Sequence, residues 1–316
     1  MIDREYSCEA AFNQGGPFWH LYTDGEQMEI IFTQPADFAF GITLLGICLA
    51  AFPHCRILTF SLMSNHIHLI IAGPLPDVIA LFNLFKDRLK MYLAKRGRYC
   101  RMDRFKADTF QIPTLKALRN EIIYVNRNGY LVHPDCTPFS YMWSAGAFFF
   151  NPAAKMLPAV PFSELTVRER RAMCHCREVS LPAGYKVLPN GCLASGPLLL
   201  STSFCAIQEA ENYFRNAHQY FRALSRDHEA QAEVARRLGD RIFLTDDELF
   251  GAVCALCARD FGSPKPGLLT AGQKIEVARK MHYDYNASNK QIQRILKLSP
   301  QVIATVFPLP SSTKTA

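Results

Sequence analysis

The chain has 316 residues, 49% hydrophobic and 20% charged. That is enough for one large domain or two to three smaller ones with their own cores, and it excludes collagen-like, low-complexity and wholly disordered classes. The longest apolar run, Phe38–Phe52, has 15 residues, short of the ~18–20 needed to cross a bilayer, and is expected as a buried helix rather than a membrane segment. The first residues, MIDREYSCEAAF, mix acids and bases with no apolar stretch before a cleavage site. A cytoplasmic protein is therefore expected, with its eleven cysteines mostly reduced.

In chain order, Trp19–Tyr22 predicts a strand and a helical pattern starts just after Pro35. The runs Ile57–Met63 and His66–Ala72 predict a β-hairpin turning at Ser64-Asn65. Val78, Leu81, Phe82, Phe85, Leu89, Tyr92 and Leu93 then recur at helical spacing. The polar face of that helix and the residues after it carry Lys86, Arg88, Lys90, Lys95, Arg96, Arg98, Arg101, Arg104 and Lys106 against Asp87 and Asp103. The net charge of these 21 residues equals the +7 of the whole chain. With Tyr92, Tyr99 and Phe105 interleaved, such a surface suits phosphates and stacked bases; a solvated helix face without a ligand is the alternative.

A short strand follows, then a helix from Pro113, favoured at a first helical position, to Gly129, which can serve as its cap. The element order predicts an α+β architecture, one antiparallel sheet with helices on one face. This domain is expected to span 1–155. Residues 156–245 are expected to connect, with a hairpin turning at Asn190-Gly191 inside Leu181–Pro197 and a helix over Phe204–Arg226.

From 246 to 308 a helical domain is expected. Thr270-Ala271-Gly272-Gln273 and Ser288-Asn289-Lys290-Gln291 fit capping boxes, and Ser299-Pro300 opens a third helix. Three short helices with tight turns and a net +4 suit a helix-turn-helix with Lys290 and Arg294 facing DNA; a small bundle with no such role is the alternative. Residues 309–316 are expected to be disordered. Cys254 and Cys257 form a C-x-x-C inside a helical pattern, and Cys174-His175-Cys176 lies upstream; buried thiols are expected there in preference to zinc.

His66-Ile67-His68 is the leading site candidate. With nine histidines the tripeptide arises by chance in about one such chain in four. On a strand, however, i and i+2 share a face, so both imidazoles could bind one divalent cation. Taken alone, the tripeptide fits two hydrogen-bonded histidines at a strand start better. On the helix after Pro113, Asn120, Tyr124 and Asn128 share a stripe roughly 130° from the apolar one. If that stripe looks at the histidines, it offers a nucleophile and an amide ligand. Otherwise Tyr124 is a core-edge residue and Asn128 a helix terminator.

The ordered set SLMSNHIHLII, a basic helix, RFK (Arg104–Lys106) and IIYVNRNG, flanked by HLYTDG and YMWSAG, resembles the HUH-type single-tyrosine transposases, most closely the REP-associated branch. The resemblance covers about residues 17–146, with Gly129 standing where the family usually has proline. It implies a ferredoxin-like HUH sandwich in which His66, His68 and Asn128 hold Mg²⁺ or Mn²⁺ and Tyr124 attacks a phosphodiester of single-stranded or hairpin DNA. The product would be a 5′-phosphotyrosine and a free 3′-hydroxyl. Lys86, Lys90, Arg96, Arg98, Arg101, Arg104 and Lys106 would contact DNA, the protein would act as a monomer or a homodimer, and it would join the nucleoid when bound. A domesticated hairpin-binding regulator without strand transfer, and a phosphodiesterase using water, are the rival expectations.

Overall fold

The computed structural model describes residues 4–25, 28–131, 139–153, 157–169, 192–195, 198–226, 246–285 and 287–307, divided between two units, 1–224 and 225–316. The first unit begins with helix α1 (Arg4–Gly15), which the sequence pattern does not announce, and strand β1 (Phe18–Thr23). Helix α2 (Pro35–Leu49), strands β2 (Arg56–Leu62) and β3 (Ile67–Ala72), helix α3 (Leu75–Lys95), strand β4 (Ala107–Gln111) and helix α4 (Leu115–Leu131) follow. The strands form one antiparallel sheet in the order β2-β3-β1-β4. The hairpin closes at Ser64-Asn65 as expected, with Leu62 opposite Ile67.

The α+β class holds, but the helices do not lie on one face. Gly41 of α2 sits so close to the sheet that a Cβ there would come within 3.0 Å of Leu62. The neighbouring Ser61 pairs with His68, and the His68 ring meets Tyr124 of α4. Successive strand residues point to opposite faces, so α2 covers one face and α4 the other. The cue is in the strands: ILTFSL and IHLIIA are near-continuous apolar runs, buried at every position after Arg56, as in a sheet covered on both sides. Helix α2, buried almost all round as its composition predicts, packs against α3 and β2.

Two predicted helix limits shift. Helix α4 starts at Leu115, where the Thr114 hydroxyl accepts from the Ala117 N–H (3.1 Å), and it runs past Gly129, which is therefore not its terminator. The expected helix over Phe204–Arg226 is two helices, Ile207–Asn212 and Ala217–Arg226. It breaks because the Asn216 side chain accepts from the Gln219 N–H (2.9 Å) and caps a new start.

The described residues between 157 and 224 pack into this first unit. Strands β5 (Val160–Pro161), β6 (Leu193–Ser195) and β7 (Leu198–Leu199) form a small antiparallel sheet, whose Cys192, Ala194 and Leu199 cluster with Phe162, Leu165 and Ile47 of α2. The turn expected at Asn190-Gly191 lies outside the described residues. Along the outer edge of β2, the Ala206 N–H donates to the Ile57 carbonyl (2.7 Å), and Ser144 bridges Ser61.

In the second unit, helix Asp246–Phe261 precedes Ala271–Asp284, Asn289–Leu296 and Pro300–Val306. Both expected capping boxes form, at Thr270/Gln273 and Ser288/Gln291, and the Ser299 side chain caps the last helix. Lys297 takes a left-handed conformation (φ 52°) that ends the Asn289–Leu296 helix. Val253, Cys257, Val277, Met281, Ile292, Leu296 and Ile303 are among this unit's buried residues.

Candidate active site

Three elements converge on the face of the sheet covered by α4. Tyr22 of β1 is the antiparallel partner of His68, and His20 is the partner of Ile70, so His20, Tyr22 and His68 share that face diagonally. Glu121 and Tyr124, one turn apart on α4, look down on them. The Tyr124 ring centroid lies 5.6 Å from that of His68 and 6.2 Å from that of His20. The phenol and the H-x-H strand, 56 residues apart, thus meet within one chain.

The two histidines of the tripeptide are held differently. His68 is fully buried in β3, with Nδ1 3.1 Å from His20 Nε2, and His20 Nδ1 is 2.8 Å from Glu121 Oε2. His66 sits one residue before the strand, half-buried, with Nδ1 2.8 Å from Asn65 Oδ1. The Asn65 amide in turn donates to the Gly25 carbonyl (2.7 Å). Gly25 packs so tightly on the His66 ring that a Cβ would fall 2.7 Å from Nδ1. The two rings are perpendicular, with centroids 5.1 Å apart. Both imidazoles of the tripeptide are thus hydrogen-bonded, each through Nδ1.

That arrangement fits a divalent cation in its chemistry. Neighbouring imidazoles with Nδ1 engaged would offer Nε2 as ligand atoms. Among the described residues no group of three or more His, Cys, Asp or Glu side chains is placed to hold a metal ion, so an additional ligand drawn from them would be of another type. Asn128 lies four residues beyond Tyr124 on α4, half-buried.

The basic segment separates into two groups. Arg98 and Arg96 engage Asp37: half-buried Arg98 reaches Asp37 Oδ2 (2.8 Å) and the Ile31 carbonyl (2.5 Å), and Arg96, itself exposed, reaches Asp37 Oδ1 (3.4 Å) while lying 5.1 Å over the Tyr92 ring. The Tyr92 hydroxyl donates to Asp37 Oδ1 (2.9 Å), and the Thr33 N–H and hydroxyl both donate to Oδ2 (2.9 Å each). Burial alone would raise the Asp37 carboxyl, but the Thr33 and Tyr92 hydrogen bonds and the Arg98 charge outweigh it and hold the carboxyl below its ordinary value. Burial and the same carboxylate push the Tyr92 phenol up. Of the interleaved aromatics, Tyr92 and Phe105 are core residues and Tyr99 alone is exposed, at 84%; stacking on Tyr92 and Phe105 is thereby corrected. Lys90, Arg101, Arg104 and Lys106 are exposed and Lys86 is half-buried.

In the second unit Lys290 and Arg294 are exposed on one short helix. Cys257 is buried, and burial raises both it and Cys254 above the ordinary thiol range. Cys174-His175-Cys176 lies outside the described residues. Sequence analysis missed His20 and Glu121. His20 opens the HLYTDG segment, and Glu121 stands three residues before Tyr124, yet 101 residues separate the two and no local spacing links them.

The chain matches no family model, no curated protein and no solved structure.

Proposed function

We propose that the protein nicks and rejoins single-stranded DNA in the manner of the HUH single-tyrosine enzymes, with Tyr124 as nucleophile. The observation that carries this reading is the packing of the Tyr124 phenol against His68, beside His66, inside one chain. In the proposed reaction the Tyr124 oxygen bonds to the scissile phosphorus as its phenolic proton passes to water, and the departing O3′ takes a proton back from water. The P–O3′ bond breaks, giving a 5′-phosphotyrosine and a 3′-hydroxyl. Attack by a second 3′-hydroxyl on the ester reverses the step and rejoins strands with no external energy source.

His66 and His68, with Asn128 from α4, would hold Mg²⁺ or Mn²⁺. Such an ion, when bound, supplies charge stabilisation at the phosphoryl oxygens and lines them up with the phenol. Lys90, Arg101, Arg104 and Lys106 would track the strand's phosphates, with Lys86 at the edge of the same surface. Arg96 and Arg98, engaged with Asp37, would contribute less. In the second unit, three capped helices with Lys290 and Arg294 exposed support a helix-turn-helix that finds the target. Among the described residues no helix is long and apolar enough to cross a membrane; action in the cytoplasm at the nucleoid, as monomer or homodimer, belongs to the same proposal.

One observation favours the rival, a hairpin-binding regulator that does not cut: Tyr124 is 3% exposed and His68 not at all, so strand transfer requires the phenol to turn out of its packing. Incubation with 3′-end-labelled hairpin DNA and Mn²⁺, followed by a denaturing gel, separates the two. A label that stays with the protein supports strand transfer. A complex that dissociates completely on denaturation supports the regulator.

A further inference from the structure

The buried chain Glu121–His20–His68 runs from the helix that bears Tyr124, through β1, to the second histidine of the H-x-H motif. All three side chains are withdrawn from solvent, and the contacts are 2.8 Å from Glu121 Oε2 to His20 Nδ1 and 3.1 Å from His20 Nε2 to His68 Nδ1. Its chemistry has a direction. An ionised carboxylate only accepts hydrogen bonds, so His20 Nδ1 must carry a proton. A neutral His20 then has its lone pair on Nε2, which accepts from a proton on His68 Nδ1. In His68 this leaves the lone pair on Nε2, the form of imidazole that can coordinate a cation. The opposite arrangement, an imidazolium at His20 donating to His68 Nδ1, would place the His68 proton on Nε2 and block coordination there.

We propose that Glu121 and His20 are positioning residues: together they hold His68 in the tautomer protonated on Nδ1, and they pin that ring to α4 one turn before Tyr124. This rests on the proposed cation site and adds what sets it. A carboxylate behind a metal-binding histidine fixes ring orientation and raises ligand basicity, and its loss typically costs ~10–100-fold in metal affinity. Here the carboxylate acts through an intervening imidazole, so the effect passes along two hydrogen bonds.

The test uses the full chain, free of metal and labelled with ¹⁵N-histidine. Long-range proton–nitrogen spectra should show His68 protonated on Nδ1 and His20 neutral. A His68 protonated on Nε2, or an imidazolium at His20, would overturn the proposal. Mn²⁺ binding, followed by its electron spin resonance, should weaken ~10–100-fold in Glu121→Gln, with the His68 spectrum changed; unaltered affinity and an unaltered spectrum together would also overturn it. Should Glu121→Gln fail to fold, the spectrum of the unmodified protein decides alone. Failure of the cation site itself is read separately: Mn²⁺ binding that survives both His66→Ala and His68→Ala would remove the site, while the tautomer of His68 is still decided by its spectrum.

Discussion

Two buried carboxylates organise the first unit, and they end in opposite chemistry. Asp37, at the start of α2, is ringed by donors from Thr33, Tyr92, Arg96 and Arg98. Its partners include permanent cations, and the cluster closes on itself. Glu121, on the helix across the sheet, passes its hydrogen bond to His20 and on to His68, beside a phenol. A carboxylate answered by guanidinium groups fixes a loop to a helix. One answered by imidazoles hands its influence to groups that can exchange protons and bind cations. On the proposed reading, what sets the two clusters apart is not burial or charge but the group that ends each one, a guanidinium beside Asp37 and an imidazole beyond Glu121.

The sharpest break between the two clusters is at the phenol. Tyr124→Phe is expected to abolish the covalent DNA adduct while hairpin binding, measured by gel shift, persists; an adduct that survives removes Tyr124 from the chemistry. Next, His66→Ala or His68→Ala should lower Mn²⁺-dependent cleavage by ~100-fold or more, since an ion stabilising phosphoryl charge supplies several kcal/mol. Asp37→Asn should leave Mn²⁺ binding intact and cost ~1–3 kcal/mol in urea unfolding, because several donors lose a charged acceptor.

The same residue gives an acid limit. Its carboxyl is lowered from an ordinary 3.8, so its contribution is complete above that value and is lost as pH falls through the folded-state value. Unfolding midpoints measured from pH 6 down to pH 2 should fall less steeply in Asp37→Asn than in the unmodified protein. Smaller again, replacing Lys90 and Arg104 by Gln should reduce the salt dependence of DNA binding, the log–log slope falling by ~1.4–1.8 for two lost phosphate contacts.

Local signals in the sequence were reliable where a few adjacent residues decide the structure. Ser64-Asn65 makes the turn, Thr270/Gln273 and Ser288/Gln291 make their boxes, and the cap of Asn216 on Gln219 that breaks 204–226 is equally local. The meeting of Tyr124 with His68 was legible only through the ordered motif set, since helical spacing says which residues share a stripe and not what the stripe faces. The His20–Glu121 link is tertiary in origin and had no spacing to betray it. The inward turn of Arg98 did leave a trace: Asp37 is the lone acid in an apolar helix, and a buried carboxylate demands donors. A positive run was thus partly spent on an internal anion. The two-sided cover of the sheet was written in strands too apolar to alternate, and α1 lacks the stripe that would have announced it.

The outer margin of β2 carries a last consequence. Ala206 and Ser144 already occupy hydrogen-bonding positions along it, so another polypeptide has no open ladder to join on that side. The opposite margin, β4, presents half-covered and exposed residues, with Asp108 its one charge, and a charge on an edge strand discourages strand-to-strand stacking. On the β2 side, among the described residues, a second molecule would meet loop backbone already seated on the strand instead of a free strand edge.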